Sequence, residues 1–235
     1  MRTKDTSMTV VLLAVAVLGN GCSQVLMRDH ISEGIIEYAL SFPDYDPNGL
    51  MVGMLPERTT LTFGKDKQLA ELSAGMGVFR TAIVSDNANQ RMDYHLSVLS
   101  KKIVAHIQHR DLSTLNKEEP PLVILETTEV DTIAGYPCRK AIAIFASIDA
   151  PEIELYYTDR ISMRDPNWFS PFSELPGVLL RYEMVQHGMR MRLDAVAVRS
   201  QKVDQELFSL KAGYEQVSPE VLDHELGEVL STFSL

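Results

Sequence analysis

The chain has 235 residues, 45% of them hydrophobic, with a formal net charge of −10 and two cysteines, Cys22 and Cys138. An acidic excess is repelled by phosphate backbones and anionic headgroups, which excludes nucleic-acid binding and electrostatic docking to a membrane. Two cysteines make no disulfide framework, so the fold must rest on an apolar core.

Residues 1–21 have the three-part layout of a secretory signal: Arg2 and Lys4, an apolar run at 8–18, then Gly19, Asn20 and Gly21 before Cys22. The run of 11 residues is well short of the roughly 20 that a spanning helix needs. Cys22 directly after the cleavage point marks a lipidation site. The expectation is therefore an exported lipoprotein, anchored to the outer membrane and facing the periplasm or the cell surface. Gly19 and Gly21 also suit ordinary signal cleavage, so export follows by either route. Removing residues 1–21 takes away Arg2, Lys4 and Asp5 and leaves a net charge of −11. Residues 22–33 read as a tether and 34–235 as a single domain, long enough for a sizeable core.

The domain opens on a strand at 36–40 that stops before Pro43. Residues 43–56 are turn-rich but hold Leu50, Met51, Val52, Met54 and Leu55. Strands follow at 59–63, 67–73, 78–84, 90–96 and 102–108, with turns at 75–77 and 86–89, the layout of an antiparallel meander. Composition shifts at 112–121, where Lys117-Glu118-Glu119-Pro120-Pro121 reads as a loop or hinge. Further strands fall at 122–130, 138–146, 153–158, 178–185 and 189–198, and His187-Gly188 joins the last two as a tight hairpin. In the last strand Met189, Met191, Leu193, Ala195 and Ala197 share one face, while Arg190, Arg192 and Asp194 share the other. Ser218 is a fitting N-cap, Pro219 suits the first helical position, and Glu220 favours the helix dipole. Leu222, Leu226, Val229, Leu230 and Phe233 then form an apolar stripe at helical spacing. The pattern is that of a mainly β (α+β) antiparallel domain whose C-terminal amphipathic helix covers the concave face of the sheet.

Chemistry-bearing clusters are sparse. His106 and His109 point to opposite faces of a strand and have no third ligand nearby, so no metal site is expected. His30, His95, His187 and His224 are scattered. Glu152 and Glu154 share a strand face with Asp159 close behind, which reads as a solvated surface rather than an acid–base pair. Cys138 reads as a buried small hydrophobe. The nucleophile-elbow, zinc-helix, phosphate-loop and dinucleotide motifs are missing, so no enzyme activity and no cofactor are expected. Nine methionines remain after residue 21, including Met184, Met189 and Met191 around one hairpin, and methionine adapts to varied apolar ligands.

Four segments occur in a particular order. Thr132-Ile133-Ala134-Gly135-Tyr136-Pro137-Cys138-Arg139-Lys140-Ala141 precedes Tyr156-Tyr157-Thr158-Asp159-Arg160-Ile161. Leu175-Pro176-Gly177-Val178-Leu179-Leu180 and Phe208-Ser209-Leu210-Lys211-Ala212-Gly213-Tyr214 come after. This order resembles a group of exported bacterial proteins of unknown function, the GLPGLI family and its relatives, which are grouped with the LolA/LolB-like lipoprotein-carrier fold. Glu174 stands where that family has its first Gly, and Val178 replaces its second Leu. The resemblance implies a curved antiparallel half-barrel with helices against its concave face, able to hold acyl chains, and implies no catalytic residues. The expected function is then that of a non-enzymatic envelope lipoprotein binding a lipid or acyl chain. Met184, Met189, Met191, Leu193, Leu226 and Leu230 would line the site. An assembly module of the outer membrane, docking another envelope protein, is the alternative, and a hydrolase the third reading.

Overall fold

The computed structural model describes residues 30–46, 49, 52–115, 121–146, 152–209 and 211–232. Cys22 and the segment 1–21 lie outside these residues, as do Leu50, Met51 and the hinge residues 117–120.

The strands are β1 (Gly34–Ser41), β2 (Arg58–Phe63), β3 (Lys67–Ala74), β4 (Phe79–Asp86), β5 (Arg91–Val98) and β6 (Lys101–Gln108). After α1 (His109–Leu115) come β7 (Leu122–Ile133), β8 (Tyr136–Phe145), β9 (Ile153–Thr158), β10 (Val178–Gln186) and β11 (Met189–Ser200). The chain ends in β12 (Glu215–Val217) and α2 (Pro219–Ser231). All twelve strands form one sheet, in the order β12-β6-β5-β4-β3-β2-β1-β11-β10-β9-β8-β7, antiparallel except where β12 runs along β6. The sheet is curved and does not close: Tyr94 on β5 reaches the side chain of Gln186 on β10 across the concavity, while β12 and β7 remain as edges. The mainly β, half-barrel architecture with a C-terminal helix is the one expected.

Turn chemistry explains much of the register. Ala134 and Gly135, with φ of 50° and 84°, make the two-residue turn into β8, and His187 and Gly188, at 48° and 77°, make the turn into β11. Both have the paired positive φ that matches the twist of a tight hairpin. One expectation for β11 is corrected. Tyr38 pairs with Ala195 and Glu37 with Ala197, so Val196 is an extra residue in a bulge and is exposed. A bulge reverses the alternation. Val198 therefore takes the inward position opposite Ile36, and Ala197 turns outward with Glu37.

The C-terminal segment grips β3–β6 from both sides. After β11 it crosses the outer face, where Val203 and Phe208 pack on Leu69, Ala82 and Val84. Lys211 Nζ pairs with Glu71 at 2.8 Å on the same face. The chain then turns the β12 edge and returns inside as α2, whose Leu222 and Leu226 pack on Met92, Leu96, Ile103, Ala105 and Ile107. Ser218 caps this helix by accepting from the Val221 N–H.

His95 is caught under the outer crossing. It is 1% exposed, its Nδ1 donates to the Ala82 carbonyl at 3.2 Å, and Tyr214 meets its ring edge-on. Nε2 has no hydrogen-bond partner among the described residues. Burial holds the imidazole below its usual pKa, with repulsion from Lys211 adding to the effect. An unfolded histidine takes up a proton near pH 6.5 and this one only at lower pH, so acid favours the unfolded chain. Stability is expected to fall as pH drops below about 6.5, seen as a lower urea midpoint at pH 5.5 than at 7.5. The variant His95→Leu should show a flatter dependence.

Candidate functional site

Between β9 and β10 lies a segment that sequence periodicity does not reveal, and it enters the concavity. Residues 159–177 contribute to three separate cores: Ile161 and Met163 to the one around β1 and β11, Trp168 to the one under α2, and Phe172 with Leu175 to the one on β8 and β9. A buried polar network holds this plug. The Trp168 indole N–H donates to Ser85 Oγ at 2.9 Å, and Ser85 Oγ donates to Asn87 Oδ1 at 2.7 Å. Gln68 Nε2 donates to Asn87 Oδ1 and to the Pro166 carbonyl, and Asn87 Nδ2 donates to the Arg164 carbonyl. At the exit, Asn167 Nδ2 donates to the carbonyls of Leu175 and Gly177 at 3.0 and 2.8 Å. Each polar side chain here is buried and partnered, which is what makes such a network specify one arrangement.

Plug and helix leave part of the inner face open. Ile36, Leu61, Ala70, Ile83, Tyr94 and Ala105 form one row across six strands, each paired with the next. Along that row and its neighbours, Leu61, Leu72, Ile83, Tyr94, Tyr182, Met184 and Met191 stay partly accessible although all face inward. A filled interior would bury them, so they mark an apolar trough. Its polar atoms are few. Burial pushes the Tyr94 hydroxyl up to about 12 and raises that of Tyr182 as well, so both stay protonated near neutral pH.

The six residues expected to line a site divide into three groups. Met184 and Met191 pair across the hairpin and face the trough. Leu193 is buried in the core beneath them. Met189 and Leu230 pack on each other and on Leu55, and Leu226 packs on the β5–β6 face, so these side chains fasten the helix to the sheet. Leu61, Ile83, Tyr94 and Tyr182 belong to the trough and were missed; the inward alternation of β2, β4, β5 and β10 is the signal that could have found them.

Chain direction places the hairpin tips at 75–78, 99–100 and 187–188 at one rim, and the start of β1 and the plug at the other. At the tip rim, Met76 is 106% exposed and Leu99 77%, both with positive φ, and Val78 and Met54 are exposed nearby. The Leu99 N–H bonds the Val78 carbonyl at 3.0 Å and ties two of these tips together. A latch crosses the same end. His187 Nε2 pairs with Asp223 of α2 at 3.1 Å, and its ring lies against Gly227, where a Cβ would come within 3.0 Å of Nδ1.

The polar candidates lie elsewhere. Lys140 holds Glu154 at 2.7 Å and Glu129 at 3.2 Å, which lowers the Glu154 pKa, and Asp159 lies near Arg139 and Arg160. Burial pushes the Cys138 thiol up to about 12, far from a nucleophile's range. His106 pairs with Asp93 at 2.5 Å on the outer face, whereas the His109 ring lies near Trp168 on the inner side. The His106–Asp93 pair borders an outer cleft of about 420 Å³ with Lys67, Asp86, Arg91, Gln108, Val84 and Phe208. Among the described residues no three His, Cys, Asp or Glu side chains are grouped as a metal site would require.

No family model matches the chain, and no curated protein matches it in sequence. Among solved structures, the crystal structure of MucB is similar with a TM-score of 0.38 and 11% sequence identity, over 79% of this chain. The chain spans 58% of the length of MucB.

Proposed function

We propose that the chain is an envelope lipoprotein, anchored at the outer membrane through Cys22, whose half-barrel holds a lipid or acyl chain without acting on it chemically. The observation that carries this reading is the trough: inward-facing apolar side chains left partly accessible between the plug and α2. Flexible Met184 and Met191 suit a ligand of variable shape. Tyr94 and Tyr182, protonated at neutral pH, offer hydrogen bonds but no base. The exposed apolar tips at Met76 and Leu99 lie at one end of this trough and would let an acyl chain pass from a bilayer without crossing water. The motif order at residues 132–214 supports the same fold-level reading.

An organic extract of the full-length protein, purified from its own envelope and analysed by mass spectrometry, should contain a lipid at near one copy per chain. Met191→Asp, which places a carboxylate in the trough, should reduce that lipid at least about tenfold while leaving the circular dichroism unchanged. An empty wild-type extract, or a lipid indifferent to Met191→Asp, would sink the reading. The mass of the mature N-terminus, with and without Cys22→Ser, tests the anchor separately.

A further inference from the structure

β7 is the long edge of the sheet, and its two halves are built differently. Between Glu126 and Val130 its register against β8 slips, and that half carries Glu129 and Asp131. Bulges and charges are the devices that protect an edge from unwanted pairing. Within residues 122–126 the one such device is the charge of Glu126. These residues pair regularly, from Leu122 opposite Phe145 to Glu126 opposite Ala141, and the first four are Leu-Val-Ile-Leu. The Ala146 N–H bonds the Pro121 carbonyl at 2.8 Å. By antiparallel alternation, the N–H and C=O groups of Leu122, Ile124 and Glu126 then point away from β8. On the outer face Val123 is 62% exposed and Leu125 48%. Their β8 neighbours Ile144 and Ile142 are half-buried, so an apolar strip runs beside backbone that no described strand pairs.

We propose that a second copy of this chain covers the edge, the two β7 strands pairing antiparallel about a two-fold axis at Ile124. This goes beyond the proposed ligand-binding role and does not depend on it. Charge selects the register. The stretch has one charged residue, Glu126, and this axis sets it opposite Leu122 of the other copy. An axis at Glu126 would oppose two copies of that carboxylate, and an axis between Thr127 and Thr128 would oppose Glu126 with Glu129. Either arrangement is destabilising in a chain already at −10. With the axis at Ile124, Val123 of each copy faces Leu125 of the other, and the outward groups of residues 122, 124 and 126 meet those of 126, 124 and 122. The two apolar strips become one patch across the axis.

Sedimentation equilibrium on the full-length protein tests this pairing. The wild type should be a reversible dimer. The double change Val123→Lys with Leu125→Lys, at exposed positions that the fold tolerates, should weaken dimerisation at least about tenfold. Val130→Lys, equally exposed but in the bulged half, should leave it unchanged. A wild type that stays monomeric up to roughly 100 µM, or a dimer that withstands the two lysines, would overturn the proposal. So would a dimer that Val130→Lys breaks as readily.

Discussion

Trp168→Ala is expected to lower the unfolding free energy by about 4 kcal/mol, read as a shift of the urea midpoint with unchanged slope. Two losses combine. The indole is 4% exposed and packed among Met92, Ile107 and the α2 leucines, so its removal leaves a cavity between plug, sheet and helix. It also leaves Ser85 Oγ, fully buried, without its donor. Trp168→Phe separates the two, since it keeps most of the ring and loses only the N–H. That variant should cost about 0.5–1.5 kcal/mol, the range for one lost hydrogen bond, because Ser85 Oγ still donates to Asn87 Oδ1. A shift under about 1 kcal/mol for the alanine variant would mean that the plug is a peripheral loop and not part of the fold.

Gly177→Ala should be the second severe change, costing about 3 kcal/mol by the same measurement. The added Cβ would lie 2.5 Å from the Thr158 carbonyl oxygen, 2.9 Å from its carbon, and 2.8 Å from Tyr157 Cδ2. The tyrosine ring can tilt. The carbonyl cannot move freely, because Thr158 lies opposite Val178 in the β9–β10 ladder, and Asn167 holds the Gly177 carbonyl from the other side. Gly188→Ala is the control: nothing lies within 4 Å of its Cβ, and only the left-handed φ of 77° is strained. It should cost about 1 kcal/mol. The glycine of the Leu175-Pro176-Gly177 segment is thus needed where the plug's backbone passes against β9 at the start of β10.

Most strands with a clear period of two were legible within two residues of their ends, because turn residues such as Gly188 bound them, whereas β7 runs on to Ile133, past its expected end at 130. α2 was legible from its cap and its stripe. The plug was not. Its apolar residues Ile161, Met163, Trp168, Phe172 and Leu175 follow no single period, and the network behind them runs through Asn87, which a sequence shows only as a turn residue. β12, at three residues, is too short to leave a pattern. The bulge at Val196 was hidden because every residue around it is compatible with either face. For the trough, alternation told which side chains face inward but not what meets them there. Met191 and Met189 lie two residues apart on one face, yet one borders open space and the other lies under the helix.

The double grip of the C-terminal segment on β3–β6 bears on when the molecule can fold. Those four strands lie within residues 67–108, but side chains that cover both their faces come from residues 203–230, far along the chain. Until that tail is made, Leu69, Val84, Leu96 and Ile103 lack their final partners. Such long-range closure is slow compared with local hairpin formation. The β3–β6 meander is therefore completed from a distance: its hairpins can pair early, but neither face is fully sealed until residues 203–230 return to it.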